Sequence, residues 1–110
     1  MSNIVERFRE NLTGAEYPKT KTSWNIAGIL KDKNAFYKFD VRDMFSLSNG
    51  DLAQKGSTNT KADKMVLEIK DEWVILDLKE LHNYIKKNKL KQVYLNDILP
   101  KLDWTIKLLK

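Results

Sequence analysis

Apolar residues recur along this chain with two different periods, and the switches between them mark its elements. Ile4, Val5, Phe8 and Leu12 share one helical face, which predicts a helix over 3–12 that Gly14 ends. A polar connection containing Pro18 follows at 17–22. Two runs of strand-forming residues, 23–30 and 35–42, flank the turn-forming Lys31-Asp32-Lys33-Asn34 and predict a hairpin. Residues 43–63 scatter Met44, Phe45, Leu47 and Leu52 among Ser, Asn and Gly without a clear period. So long a stretch without an element is unusual in a small domain: either it is a functional segment, or Met44, Phe45, Leu47 and Leu52 supply a short strand or helical turn within it. The runs 64–69 and 73–78 predict a second hairpin around Lys70-Asp71-Glu72. Leu78, Leu81 and Ile85 then set the inner face of a helix that starts at 78 or 79 and runs to about 88. Residues 92–95 read as a short strand. Leu99, Leu102, Ile106 and Leu109 share a face of a last helix over 96–109, with Pro100 near its start.

The economical packing of this order is one α/β (α+β) domain over 1–110. It has a single mixed β-sheet of about four to five strands, an N-terminal helix and two C-terminal helices. Hydrophobic residues make up 42% of the chain, enough for a modest core. There is no cysteine, which excludes a disulfide scaffold or thiolate metal site and fits a reducing, cytoplasmic compartment. The one histidine, His82, argues against zinc centres and Ser-His-Asp catalysis and reads as a surface or packing residue. No apolar run approaches the ~18 residues of a membrane span, and the first residues lack an apolar signal core. No membrane partner is expected.

The net charge of +5 is placed unevenly. Residues 1–78 hold 12 Lys/Arg against 12 Asp/Glu, whereas 79–110 hold 8 Lys against 3 acids. The densest run contains Lys86, Lys87, Lys89 and Lys91. Such asymmetry suits a phosphate backbone, and a solvated lysine face is the plainer alternative. Lys61, ending the small-polar loop Gly56-Ser57-Thr58-Asn59-Thr60, is a further phosphate contact by residue type, although the loop is not a P-loop. Trp24, Trp73 and Trp104 read as core anchors. Tyr17, Tyr37 and Tyr94 are the candidates for base stacking.

Two triplets carry the sharpest chemistry: Asp40-Val41-Arg42 and Asp77-Leu78-Lys79, each closing a strand. Strand side chains alternate, so an acid two residues before a cation shares its face. Two carboxylates can bind a divalent ion, and a cation beside them can steady charge on a phosphate. With the helix–strand order, this resembles the PD-(D/E)xK superfamily of restriction endonucleases, junction resolvases and related phage or mobile-element nucleases. The resemblance implies a restriction-endonuclease-like fold, metal-dependent phosphodiester cleavage with Mg²⁺ or Mn²⁺, and nucleic acid as partner.

It can be laid down in two ways. In one, Glu6 or Glu10 comes from the first helix and Asp40 and Arg42 from the triplet. The strand 23–30 then lacks the acid the family has there, with Asn25 or Leu30 in its place, and Arg42 replaces the usual Lys. In the other, Asp63 is the first acid, and Asp77 and Lys79 form the triplet. Asp77-Leu78-Lys79-Glu80 reads equally as a helix start, Asp77 being the N-cap. The candidate catalytic set is therefore Asp40, Arg42, Asp63, Asp77 and Lys79, with Glu10, Asp40, Asp63 and Asp77 as metal ligands. Three functions follow: a small endonuclease, a non-catalytic protein that binds nucleic acid or blocks a protein partner, or a self-associating structural module, a dimer among the options.

Overall fold

The computed structural model describes residues 3–20, 22, 24–31, 33–43, 61–69, 71–90 and 94–109. It is one mixed sheet of six strands, ordered β1 to β6 in chain order. They are β1 (Leu12–Glu16), β2 (Ile26–Leu30), β3 (Ala35–Asp43), β4 (Lys64–Ile69), β5 (Glu72–Asp77) and β6 (Thr105–Leu109). Among the described strands β3 and β4 run parallel and the other neighbours are antiparallel. The helices are α1 (Ile4–Arg9), α2 (Leu78–Lys87) and the single turn α3 (Leu95–Ile98), which continues as a 3-10 turn at Leu99–Lys101. The expected restriction-endonuclease-like sheet of four to five strands with two C-terminal helices is corrected on both counts. The described residues form six strands, and the last helix shrinks to one turn before the chain extends.

Both hairpins form where apolar runs flank turn residues. In the first, Asn34 takes the left-handed region (φ 52) and its N–H donates to Leu30 O at 2.7 Å. In the second, Ile69 pairs with Glu72 and the register carries through to Lys64↔Asp77. The segment expected to be irregular lies in part outside the described residues, namely 44–60, and Asp43 ends β3. Of the short strand expected at 92–95, residues 92–93 lie outside them and Leu95 opens α3.

The first helix is shorter than its apolar stripe. Asn3 caps it, its Oδ1 accepting from Glu6 N–H at 2.9 Å, and the helix ends at Arg9. Leu12, expected as its last inward residue, instead opens β1 opposite Leu30. Sheet pairing offers Leu12 a buried site that a free helical end does not. Two glycines permit this edge. Gly14 sits at φ +63 where the register of β1 shifts, and a Cβ on Gly28 would meet Leu12 Cβ at 3.1 Å.

Alternation sorts the core onto two faces. On one, α1 covers Ile26, Leu30, Phe39, Val41, Val66, Trp73, Ile75 and Ile106; Phe8 is fully buried, edge-on to Phe39 and Trp73. Burial of such a ring is worth about 1.5–3 kcal/mol. On the other, Leu78 and Leu81 of α2 and Ile98 and Leu102 cover Met65, Leu67, Val74 and Leu76. Among the described residues, no helix is long and apolar enough to cross a membrane.

Candidate functional site

Asp40 follows Phe39 on β3 and so points to the α2 face, where its cross-strand partner is Met65. It is buried and held by its own triplet: Arg42 Nε donates to Oδ1 at 2.8 Å and Nη2 to Oδ2 at 3.3 Å. Asn25, standing where the first arrangement wants an acid, latches β3 instead. Its Oδ1 accepts from Val41 N–H at 2.9 Å and its Nδ2 donates to Val41 O at 3.4 Å.

Asp77 lies on the opposite face. Its partner is Lys64, which is in turn opposite Phe39 of the α1 face. Asp77 Oδ2 accepts from Glu80 N–H at 3.1 Å and caps α2, while Oδ1 accepts from Lys64 Nζ at 2.8 Å. Lys64 is buried, with its Nζ 3.8 Å from the Trp104 ring centre and 4.6 Å from that of Tyr37. Trp104 is tied back by its main-chain N–H, which donates to Glu80 Oε1 at 3.2 Å. Two rings and a carboxylate replace the water a buried ammonium gives up. The apolar pattern did not single out Lys64: strands 64–69 and 73–78 would set it opposite Leu78, whereas the observed pairing of Ile69 with Glu72 sets it opposite Asp77.

Asp63 is exposed and clamps β3 to β4. Its Oδ2 accepts from Lys38 N–H at 2.9 Å and its own N–H donates to Lys38 O at 2.8 Å. Glu10 is exposed just past α1, and its main-chain oxygen accepts from Lys31 Nζ at 3.1 Å. It lines a depression with Leu108 and Leu109, which pair with Trp73 and Glu72 at the far end of β5 from Asp77. Asp40, Asp77 and Glu10 are therefore not gathered around one point. Among the described residues, no group of three or more His, Asp or Glu side chains is placed to hold a metal ion. Among the described residues, the candidate carboxylates Asp40, Asp77 and Glu10 do not converge on one site for the divalent ion that the resemblance implied.

The lysines form a more coherent surface. Lys79, Lys86 and Lys87 stand on the exposed side of α2, with Lys89 just beyond it in the left-handed region. Lys79 and Lys86 lie seven residues apart on one stripe, with Asn83 between them. None of these four lysines makes an ion pair among the described residues. The acids of the same helix start are turned elsewhere, Asp77 to Lys64 and Glu80 to Trp104. Lys61 is exposed and has a partner; Lys91 lies outside the described residues. His82 is buried beside this stripe, with Nε2 unpartnered among the described residues. Burial, helped by the Lys86 charge and opposed by Asp77, pushes its imidazole below the usual histidine range. The chain matches no family model, no curated protein and no solved structure.

Proposed function

We propose that this chain binds nucleic acid through the lysine face of α2 and does not cut it. The observation that carries this reading is the row Lys79, Lys86, Lys87 and Lys89, exposed and without ion pairs among the described residues. Unpaired lysines on a rigid element neutralise phosphates and release counterions. Supporting a binding role over cleavage, Asp40, Asp63 and Asp77 are committed to Arg42, to the Lys38 main chain, and to Lys64 with the α2 cap. A carboxylate already engaged by protein donors is a poorer partner for Mg²⁺ or Mn²⁺.

The test is a salt titration of oligonucleotide binding, joined to a cleavage assay. Affinity is expected to fall steeply with salt. Lys86→Ala with Lys87→Ala should lower the slope of log K against log salt by about two, one per lost phosphate contact. DNA and RNA incubated with Mg²⁺ or Mn²⁺ should stay intact. Affinity indifferent to salt, or cleavage abolished by Asp40→Ala or Asp77→Asn, would overturn the reading.

A further inference from the structure

Among the described residues, the α2 face of the sheet is unevenly covered. Over β4 and β5 it lies beneath Leu78, Leu81, Ile98 and Leu102, but on β2 and β3 Ile29 and Phe36 are 36% and 51% exposed. These two are directly paired across the strands. An aliphatic–aromatic pair usually sits inside a covering layer, so one left at the surface is informative. The next residue, Tyr37, shows how an aromatic on this strand is normally used. Its ring packs edge-on against Phe39 and Trp104 on the α1 face. Phe36 makes no ring contact among the described residues.

Lysines stand beside the pair. Lys38 is two residues on along the same face, its Nζ 5.7 Å from the Trp24 ring centre. Lys33 is exposed in the adjoining turn. Of the described acids on this face, Asp40 is engaged by Arg42 and Asp63 by the Lys38 main chain, while Glu16, opposite Ala27 on β1, is exposed. Phe36 lies three residues before Phe39, whose partner Lys64 pairs with Asp77 at the start of α2. The apolar pair and Lys79 thus share one end of one face, with β3 and β5 roughly 10 Å apart across the sheet.

We propose that Phe36, backed by Ile29, is a stacking platform for the bases of a single-stranded nucleic acid whose phosphates continue onto the α2 lysines. This rests on the nucleic-acid reading above and names the form bound. A single strand can lay a base flat on Phe36 while Lys33, Lys38 and Lys79 hold its backbone; a duplex keeps its base faces stacked inside. Lysines beside an apolar pair favour this polyanion over an apolar protein surface as the occupant.

Anisotropy of a labelled oligothymidylate, compared with a duplex of equal length, tests it. The single strand should bind more tightly than the duplex. Phe36→Ala should weaken single-strand binding by about five- to a hundredfold, leave the salt slope unchanged, and retain the wild-type circular dichroism. Phe36→Trp should keep the affinity. Equal binding of strand and duplex, or wild-type affinity in Phe36→Ala while the lysine variants still lose slope, overturns the platform and leaves the binding role standing. Failure of every oligonucleotide to bind sinks the underlying role as well. A concentration-dependent dimer that Phe36→Ala turns into a monomer would make the pair a protein contact and overturn the proposal.

Discussion

Asp77 does two structural tasks at once, and its variants should separate them. Asp77→Ala removes the α2 cap and leaves the buried Lys64 ammonium with only its two rings. An N-cap is worth ~1 kcal/mol and stranding a buried partner costs more, so a loss of about 2–4 kcal/mol is expected in urea denaturation. Asp77→Asn keeps an oxygen for the cap and should lose roughly half as much. Equal losses would mean that the pairing with Lys64 alone matters, and no loss in Asp77→Asn that the cap alone does. His82 gives the pH dependence. Burial depresses its folded pKa, so on acidification the unfolded chain takes up the proton first. The stability due to neutral His82 is full above the ordinary value of about 6.5 and is lost as pH falls through the depressed one. His82→Gln should flatten the pH dependence of the urea midpoint in that window. An unchanged profile would assign the slope to other groups. The cap at Asp77 was legible from Asp77-Leu78-Lys79-Glu80, because capping is local. The orphaned Nε2 of His82 was not, because burial of one ring atom depends on elements distant in sequence.

At the scale of elements, the last strand is the instructive case. Leu99, Leu102, Ile106 and Leu109 fit a helical stripe, and a helix over 96–109 was the expectation. The chain instead leaves the 3-10 turn at Leu102 in an extended conformation, and Thr105–Leu109 pairs with β5. The free edge of β5 would otherwise present unpaired N–H and C=O groups, and strand alternation seats Ile106 in the α1-side core. Leu109 is then 83% exposed, which a helical stripe would not allow. Ile106→Ala should accordingly cost about 2–4 kcal/mol, and Leu109→Ala less than about 0.5 kcal/mol, in denaturant titrations. Comparable losses at both positions would restore the helix. Both hairpins and α2, by contrast, were readable because their partners or caps lie within a few residues of each other.

For the whole molecule, the charge asymmetry seen in the sequence becomes a surface only through the fold. Residues 79–110 carry the excess of lysine, and α2 displays part of it on one rigid face; the salt titration measures that face as a unit. The candidate cleavage centre met the opposite fate. Each triplet does place acid and cation two residues apart. The sheet register then sends Asp40 to the α2 side and Asp77 to the α1 side, with Glu10 beyond the far end of β5. By itself the sequence determined the two hairpins, the start of α2 and its cap, and the location of the positive excess, because each depends on neighbours in the chain. Only the tertiary structure decided that 105–109 is a strand, that Asp40 and Asp77 face apart, and that Phe36 rather than Tyr37 meets the solvent. Those outcomes depend on the parallel register of β3 on β4 and on which helix covers which face. Such contacts join residues far apart in the chain, and no local pattern encodes them.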